Sequence, residues 1–125
     1  MAKFREVILE SGTKFLLGKD KESNDELMKK FKGKRNTILH TVSPGSPFGV
    51  IDFPKPKARD VYLGGAAVAR YSQDWRDNKS DVKVSVFTGK DVSKPAGLKQ
   101  GTWKVKKLKT ITVKKEDILR FEKSK

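Results

Sequence analysis

The sequence predicts a single α+β domain over residues 1–125, with a largely antiparallel sheet. Short segments with alternating apolar residues recur along the chain, and turns that contain Gly or Pro separate them. Two segments with helical spacing interrupt this series of strands. At 125 residues, the chain has the length of one domain. We therefore expect one long and one short helix to pack against one face of the sheet.

The N-terminal third predicts a hairpin followed by the short helix. Residues 4–9 and 14–17 have the composition of two strands, and a short polar break with a glycine separates them. The helix is expected over about residues 24–32. Ser23 or Asn24 would cap it, and acidic residues follow in its first turn, where the helix dipole favours them.

A second pair of strands is predicted in the middle of the chain. Residues 37–42 and 48–53 flank a turn at residues 43–47, where proline fixes φ. Gly45 is expected at a positive φ, which only glycine adopts easily. Loops between strands often carry recognition residues, so this turn is a candidate part of a binding site.

The long helix is predicted over about residues 59–75. Four apolar residues repeat at every fourth position, namely Leu63, Ala67, Tyr71 and Trp75. Gly64 and Gly65 lie inside this segment, where each disfavours a helix by about 1 kcal/mol relative to Ala. Close packing of the two glycines against the sheet would offset that cost.

The C-terminal part predicts the remaining strands. Val82, Val84 and Val86 alternate with polar residues and indicate a half-buried strand. A polar loop is expected over residues 91–101. Alternation around residues 103–106 and 110–113 predicts two strands that close the sheet, and residues 116–121 form a short helix at most.

The charge of the chain predicts a polyanionic partner. The 29 Lys and Arg residues exceed the 15 Asp and Glu residues, which gives a net charge of +14. There is no Cys and one His, and no phosphate-binding glycine motif occurs, so we expect neither an enzyme nor a bound cofactor or metal. No apolar run is long enough to span a membrane, and residues 1–10 lack a signal-peptide core, which predicts a cytoplasmic protein.

Two basic clusters, in residues 26–35 and 94–125, are predicted to contact nucleic-acid phosphates. The side chains assigned to this role are Lys29, Lys30, Lys34, Arg35, Lys94, Lys99, Lys104, Lys106 and Lys109. Lys104 and Lys106 would lie on one face of a strand, about 6.6–7 Å apart, opposite Trp103 and Val105. The alternative is a Lys-rich surface that is merely solvated.

Four segments resemble, in order, the motifs of the NFACT-R (NFACT RNA-binding) domain family. They are Gly18-Lys19-Asp20 with Asn24-Asp25-Glu26-Leu27; His40 with Pro44-Gly45-Ser46; Ala66-Ala67 with Ala69-Arg70-Tyr71-Ser72; and Val84-Ser85-Val86 with Asp91-Val92-Ser93-Lys94-Pro95-Ala96-Gly97 and Gly101. The resemblance covers about residues 13–113. Pro47 stands where the family usually has His, and Ile38-Leu39 replace its Trp-Phe.

This resemblance implies an RNA-binding module without a catalytic centre. Its expected ligands are tRNA or ribosomal RNA, in ribosome-associated quality control or translation. Both RNA and DNA carry phosphates, so DNA or a generic polyanion remains an alternative ligand. Contacts to 2′-hydroxyls or stacking on single strands would distinguish the two nucleic acids.

The resemblance also points to a composite site, because two of its motifs lie where strands end. We expect Lys19, Asn24, His40, Ser46 and Phe48 to converge on one surface. Lys19 would hold phosphate, Asn24 and Ser46 would contact a base or ribose, His40 would orient the turn, and Phe48 would stack. In the alternative interpretation, Asn24 only caps a helix and His40 only braces the turn.

Several aromatic side chains could either stack on bases or pack in the core. The candidates are Phe31, Phe48, Tyr71, Trp75 and Trp103. Only exposed rings can stack on a ligand, so burial decides between the two roles.

Overall fold

The central element is an antiparallel sheet with helices on both faces. The computed structural model describes residues 3–100 and 102–124; Gly101, in the predicted loop, lies outside them. The strands are β1 (Arg5–Ile8), β2 (Lys14–Leu17), β3 (Thr37–Thr41), β4 (Gly49–Ile51), β5 (Val82–Thr88), β6 (Val92–Ser93), β7 (Lys104–Val105) and β8 (Lys109–Val113). The α-helices are α1 (Lys21–Phe31), α2 (Ala58–Arg70), α3 (Gln73–Asn78) and α4 (Lys115–Lys123).

The order of the strands confirms the predicted fold class. Within the described residues, six strands form one sheet in the order β1-β2-β4-β3-β5-β8, and every neighbouring pair is antiparallel. The hairpin of β1 and β2 and the hairpin of β3 and β4 are both present. The chain is therefore an α+β protein, as its strand and helix patterns predict.

The expectation that the helices share one face of the sheet is wrong. Leu16 and Leu17 are neighbours in β2, and both are buried, although their side chains point to opposite faces. Leu17 packs in a core with α2 and α4, whereas Leu16 packs in a second core with α1. Both faces are apolar and both are covered. We call the second the α1 face.

The predicted long helix is interrupted, which corrects its expected end at residue 75. Helix α2 ends at Arg70, and two residues separate it from α3. Ser72 lies between them in an extended conformation and caps α3, because its Oγ accepts a hydrogen bond from the Trp75 backbone at 3.1 Å. Trp75 stays fully buried, so the apolar repeat continues across the break.

Helix α1 begins three residues before its predicted start. Asp20, rather than Ser23 or Asn24, is the cap: its Oδ1 accepts from the Ser23 N–H at 2.8 Å, while the Ser23 Oγ accepts from the Asp20 N–H at 3.0 Å. Hydrogen bonds from Ser23 to the Asp20 carboxylate, first of all the one from its backbone N–H, lower the pKa of that carboxyl. Asn24 therefore lies inside the helix, where its side chain serves another purpose.

The packing explanation for the two helical glycines is confirmed. A Cβ at Gly64 would lie 2.9 Å from the Phe15 ring, and one at Gly65 would lie 3.0 Å from the Val113 side chain. The missing side chains let α2 approach the sheet closely. That contact compensates for the unfavourable helix propensity of glycine.

The C-terminal segment differs from the predicted pair of closing strands. Only β8 joins the main sheet, whereas β7 pairs with β6 in a separate two-stranded ribbon. The ribbon packs on the α1 face because Val92, Trp103 and Val105 belong to that core. Helix α4 is longer than expected. Among the described residues, no helix has both the length and the apolar composition needed to cross a membrane.

Candidate nucleic-acid interface

A cleft of about 460 Å³ lies on the α1 face, at the end of β3. Its walls come from the start of α1, the end of β3, the turn before β4 and the middle of β5. The last wall is formed by Gln100, Thr102, Trp103, Val105 and Leu108. His40 and Ser85, which face each other across β3 and β5, contribute to it. Three aromatic residues, Phe48, Phe87 and Trp103, also line the cleft.

A second hollow of about 330 Å³ adjoins the cleft and is strongly basic. Four cationic residues line it, against the carboxylate of Asp20: Arg5, Lys19, Lys21 and Arg76. We call it the basic groove. Lys21, Asn24, Gly45 and Ser46 line both hollows, so the cleft and the basic groove share one wall.

The structure brings together the five residues of the predicted composite site. Lys19 lines the basic groove, His40 and Phe48 line the cleft, and Asn24 and Ser46 line both. Their contact with nucleic acid stays a prediction. Their contacts within the protein, however, assign several of them a positioning role.

The turn between β3 and β4 is held by its own side chains. Ser46 Oγ accepts from the Thr41 N–H and donates to the Pro47 carbonyl, both at 3.1 Å. The Gly45 carbonyl accepts from the Gln73 N–H at 2.8 Å. Gly45 has φ +94°, which confirms its expected conformation. The hydroxyl of Ser46 thus fixes the shape of the turn.

Asn24 connects α1 to the same turn by a hydrogen bond. Its Oδ1 accepts from the Phe48 N–H at 3.0 Å, and because an N–H only donates, this contact fixes the orientation of the amide. The Phe48 carbonyl in turn accepts from the Gly18 N–H at 3.1 Å. The interpretation of Asn24 as a helix cap is therefore wrong.

Burial separates the five aromatic candidates. Phe31, Phe48 and Trp75 are core residues, whereas Tyr71 and Trp103 are half-buried and line the basic groove and the cleft, respectively. Phe48 is only 5% exposed, and its ring centroid lies 4.4 Å from that of His40. The expected stacking of a base on Phe48 is therefore wrong, because its ring supports His40 and has almost no exposed surface.

Replacing Gly18 with Ala should disconnect α1 from the turn. A Cβ at this position would overlap the amide of Asn24, so the Asn24–Phe48 hydrogen bond would break. We expect a loss of about 1–3 kcal/mol in the free energy of unfolding, measured by chemical denaturation. When Asn24 is already Ala, the Gly18→Ala substitution should lower the free energy of unfolding much less than it does in the natural sequence. Additive effects of the two changes would contradict this explanation.

His40 is half-buried and bonded to the backbone around the turn. Its Nδ1 lies 2.9 Å from the Thr41 carbonyl oxygen, which only accepts, so Nδ1 carries a proton. Burial lowers the pKa of His40 below its ordinary 6.5, against the opposing effect of the Thr41 and Ser46 backbone, which favours the protonated ring. The ring is therefore neutral at pH 7, which suits a residue that positions the turn.

The lowered pKa of His40 predicts a loss of stability in mild acid. The unfolded chain binds the proton more readily than the folded one, so stability is complete above pH 6.5 and falls as the pH drops below it. Denaturation midpoints between pH 7.5 and 5.5 should show this decrease, and His40→Asn should remove it. A midpoint that stays constant or rises on acidification would refute the assignment.

Asp25, Lys94 and Trp103 form a partly buried cluster of hydrogen bonds, which we call the lock. Lys94 Nζ donates to Asp25 Oδ1 at 3.0 Å, and the Trp103 Nε1–H donates to the same oxygen at 2.9 Å. Lys94 also donates to the carbonyls of Lys99 and Thr102, at 3.0 and 3.1 Å. The lock therefore fixes the segment that forms one wall of the cleft.

The hydrogen bonds of Lys94 favour a role within the protein, and its predicted phosphate contact stays a prediction. An ammonium group has three protons, and in Lys94 three protein oxygens accept them. Its side chain is 21% exposed. Lys94 acts on the cleft from inside the protein.

The other predicted basic side chains are exposed but lie outside the two hollows. Lys29 and Lys30 end α1, about 8–9 Å along the helix axis from Asn24. Lys34 and Arg35 follow the helix, and the ammonium groups of Lys30 and Lys34 lie over the Phe31 ring. They form a second basic patch, residues 29–35, away from the cleft.

The C-terminal lysines are divided between two elements. Lys104 and Lys106 are exposed, while Trp103 and Val105, which alternate with them, are half-buried, as the pattern predicts. Lys109 instead begins β8 at the edge of the main sheet, and Lys99 lies in the loop after β6. These four lysines therefore do not share one strand face.

Sequence reasoning missed most of the basic groove. Arg5, Lys21 and Arg76 come from β1, α1 and α3, and only the tertiary fold brings them together. The Arg5 guanidinium lies 4.2 Å from the Tyr71 ring centroid, a cation–π contact that holds it at the groove. No local pattern in the sequence marks this arrangement.

Comparisons with known proteins bear on the family and the fold. The sequence model of the family described as "NFACT protein RNA binding domain" matches residues 3–107. No curated protein matches the chain. A similar solved structure is the C-terminal part of the fibronectin/fibrinogen-binding protein from Streptococcus suis, with a TM-score of 0.83 and 25% identity. The match covers 96% of this chain but only 49% of that one, so this chain spans about half the length of that structure.

Proposed function

The chain belongs to the NFACT RNA-binding domain family, and from this we propose that it binds tRNA or ribosomal RNA through the cleft and the basic groove. Family membership supports an RNA-binding role. The finer proposal, a structured RNA of the translation apparatus in the cytoplasm, follows from the resemblance of its motifs. Ribosome-associated quality control is the process we propose for it.

The observation that carries the proposal is the adjacency of the two hollows. Four cations surround the basic groove, which suits phosphates, and the neighbouring cleft has the mixed aromatic and polar lining that suits a base. The net charge of +14 adds a long-range attraction for RNA. The contacts of His40 with the turn support a positioning role for it, so we propose no catalysis.

Binding to tRNA should weaken steeply as salt is added. If the four groove cations each neutralise a phosphate, affinity should fall about 100-fold between 50 and 200 mM salt. Fluorescence anisotropy with labelled tRNA and with a DNA hairpin of matched length would measure this. Equal affinity for the two would favour the generic polyanion alternative, and salt-independent binding would refute the electrostatic account.

A further inference from the structure

We propose that the two hollows together hold a single unpaired nucleotide, with its base in the cleft and its phosphate in the basic groove. The inference rests on the proposed function and names the part of the RNA that the site recognises. It follows from the different chemistry of two hollows that share a wall.

The cleft has the size and lining of a pocket for one base. Its volume of about 460 Å³ lies within the range of small-molecule sites, about 300–1,000 Å³. Trp103 supplies a half-buried ring whose Nε1–H is held by Asp25, and the Lys94 ammonium lies 5.2 Å from its centroid. A fixed aromatic wall of this kind favours stacking, since little side-chain freedom is lost when a base binds.

Asn24 supplies a polar group at the boundary between the hollows. Its Oδ1 is committed to the Phe48 N–H, which leaves the Nδ2 group to donate. Within residues 3–100 and 102–124, no hydrogen-bond acceptor in the protein is found for that group. A base or ribose oxygen is the acceptor it fits.

The basic groove holds its cations in place before any ligand arrives. Arg5 stacks on Tyr71, and Arg76 donates to the Tyr71 carbonyl at 3.4 Å and to the Gln73 side chain at 3.0 Å. Guanidinium groups held in this way suit a phosphate, which accepts their hydrogen bonds. Lys21 lines both hollows and would lie where the phosphate joins the nucleoside.

The lining of the cleft favours an unpaired nucleotide. His40, Ser85 and Phe87 lie on one face of the sheet and line the cleft together with Trp103, so a base in contact with them would be surrounded by protein side chains. A base inside a duplex is stacked and paired and cannot enter. Bases in bulges and loops are splayed out and can.

The test compares three RNA hairpins of one stem sequence: fully paired, with a one-nucleotide bulge, and with an abasic bulge. We expect the bulged hairpin to bind at least about tenfold more tightly than the paired one, as stacking of one base provides. The abasic bulge should bind like the paired hairpin. Equal affinity for all three would overturn the nucleotide site while leaving RNA binding intact, whereas no binding to them or to tRNA would refute the proposed function itself.

Substitutions of Trp103 test whether the preference for the bulged hairpin depends on the cleft. Trp103→Ala should abolish the preference for the bulge, and Trp103→Phe, which keeps an aromatic ring but loses the hydrogen bond to Asp25, should keep part of the preference. Phe53→Ala is the matched control, because Phe53 is an aromatic residue 50% exposed in the loop after β4, outside both hollows. A preference that persists in Trp103→Ala, or disappears in Phe53→Ala, would contradict the assignment.

Discussion

Reversing the charges of Lys21 and Arg76 together should weaken tRNA binding at least about 100-fold. Each cation lines the basic groove, and a charge-assisted contact is worth about 1.5–3 kcal/mol, so the loss of two removes about 3 kcal/mol or more. The glutamates also repel phosphate. Anisotropy titrations with labelled tRNA would measure the change, and the dependence of log K on log salt should become shallower by about 2.

The control variant changes the net charge by the same amount as Lys21→Glu/Arg76→Glu, but at positions away from the basic groove. Lys55→Glu/Lys57→Glu alters the exposed loop between β4 and α2. Strands β2 and β4 are antiparallel. The loop follows the last residue of β4, beside the start of β2, whereas the cleft lies at the opposite end of this pair of strands. The control should lower affinity only a few-fold. Equal effects of the two double variants would show that net charge alone, and no particular site, binds RNA.

Replacing Asp25 with Ala should destabilise the domain by about 3 kcal/mol. Asp25 is 8% exposed, and its carboxylate accepts from both Lys94 and Trp103. Its loss therefore leaves a partly buried ammonium without its counter-charge and an indole N–H without its acceptor. Asp25→Asn keeps a neutral acceptor and should lose about half as much. Chemical denaturation followed by circular dichroism would measure both.

The lock also predicts an effect on binding that stability alone does not explain. In Asp25→Asn, measured where the variant is fully folded, tRNA affinity should still fall because Trp103 is less firmly held at the cleft.

The control for the stability prediction is Asp52→Ala. It removes an exposed carboxylate and should change the free energy of unfolding by less than about 0.5 kcal/mol. If Asp25→Ala were as mild as this control, the lock would not contribute to stability.

Patterns within short segments of the sequence predict the secondary structure well. Alternation at Val82, Val84 and Val86 identifies a strand, and the Pro-Gly turn identifies a hairpin with Gly45 at positive φ. Such features depend on neighbours along the chain. The placement of helices on both faces is indicated by a different pattern. Adjacent apolar residues, Leu16-Leu17 in β2 and Ile38-Leu39 in β3, make these strands apolar on both sides.

The parts that could not be predicted depend on contacts between distant residues. Lys94 has the composition of a phosphate ligand, but Asp25, 69 positions earlier, binds it inside the protein. Phe48 follows an exposed turn, yet the fold buries its ring against His40. The four cations of the basic groove come from β1, the loop before α1, α1 itself and α3, and only the tertiary fold brings them together.

Ultraviolet crosslinking of the intact protein to tRNA, with mass spectrometric mapping of the crosslinked peptides, tests the central claim most directly. The half-buried rings of Tyr71 and Trp103 line the basic groove and the cleft, and we expect crosslinks at these residues. Lys21→Glu/Arg76→Glu should abolish them. Crosslinks confined to the basic patch of residues 29–35, with none at either ring, would show that RNA binds elsewhere on the domain.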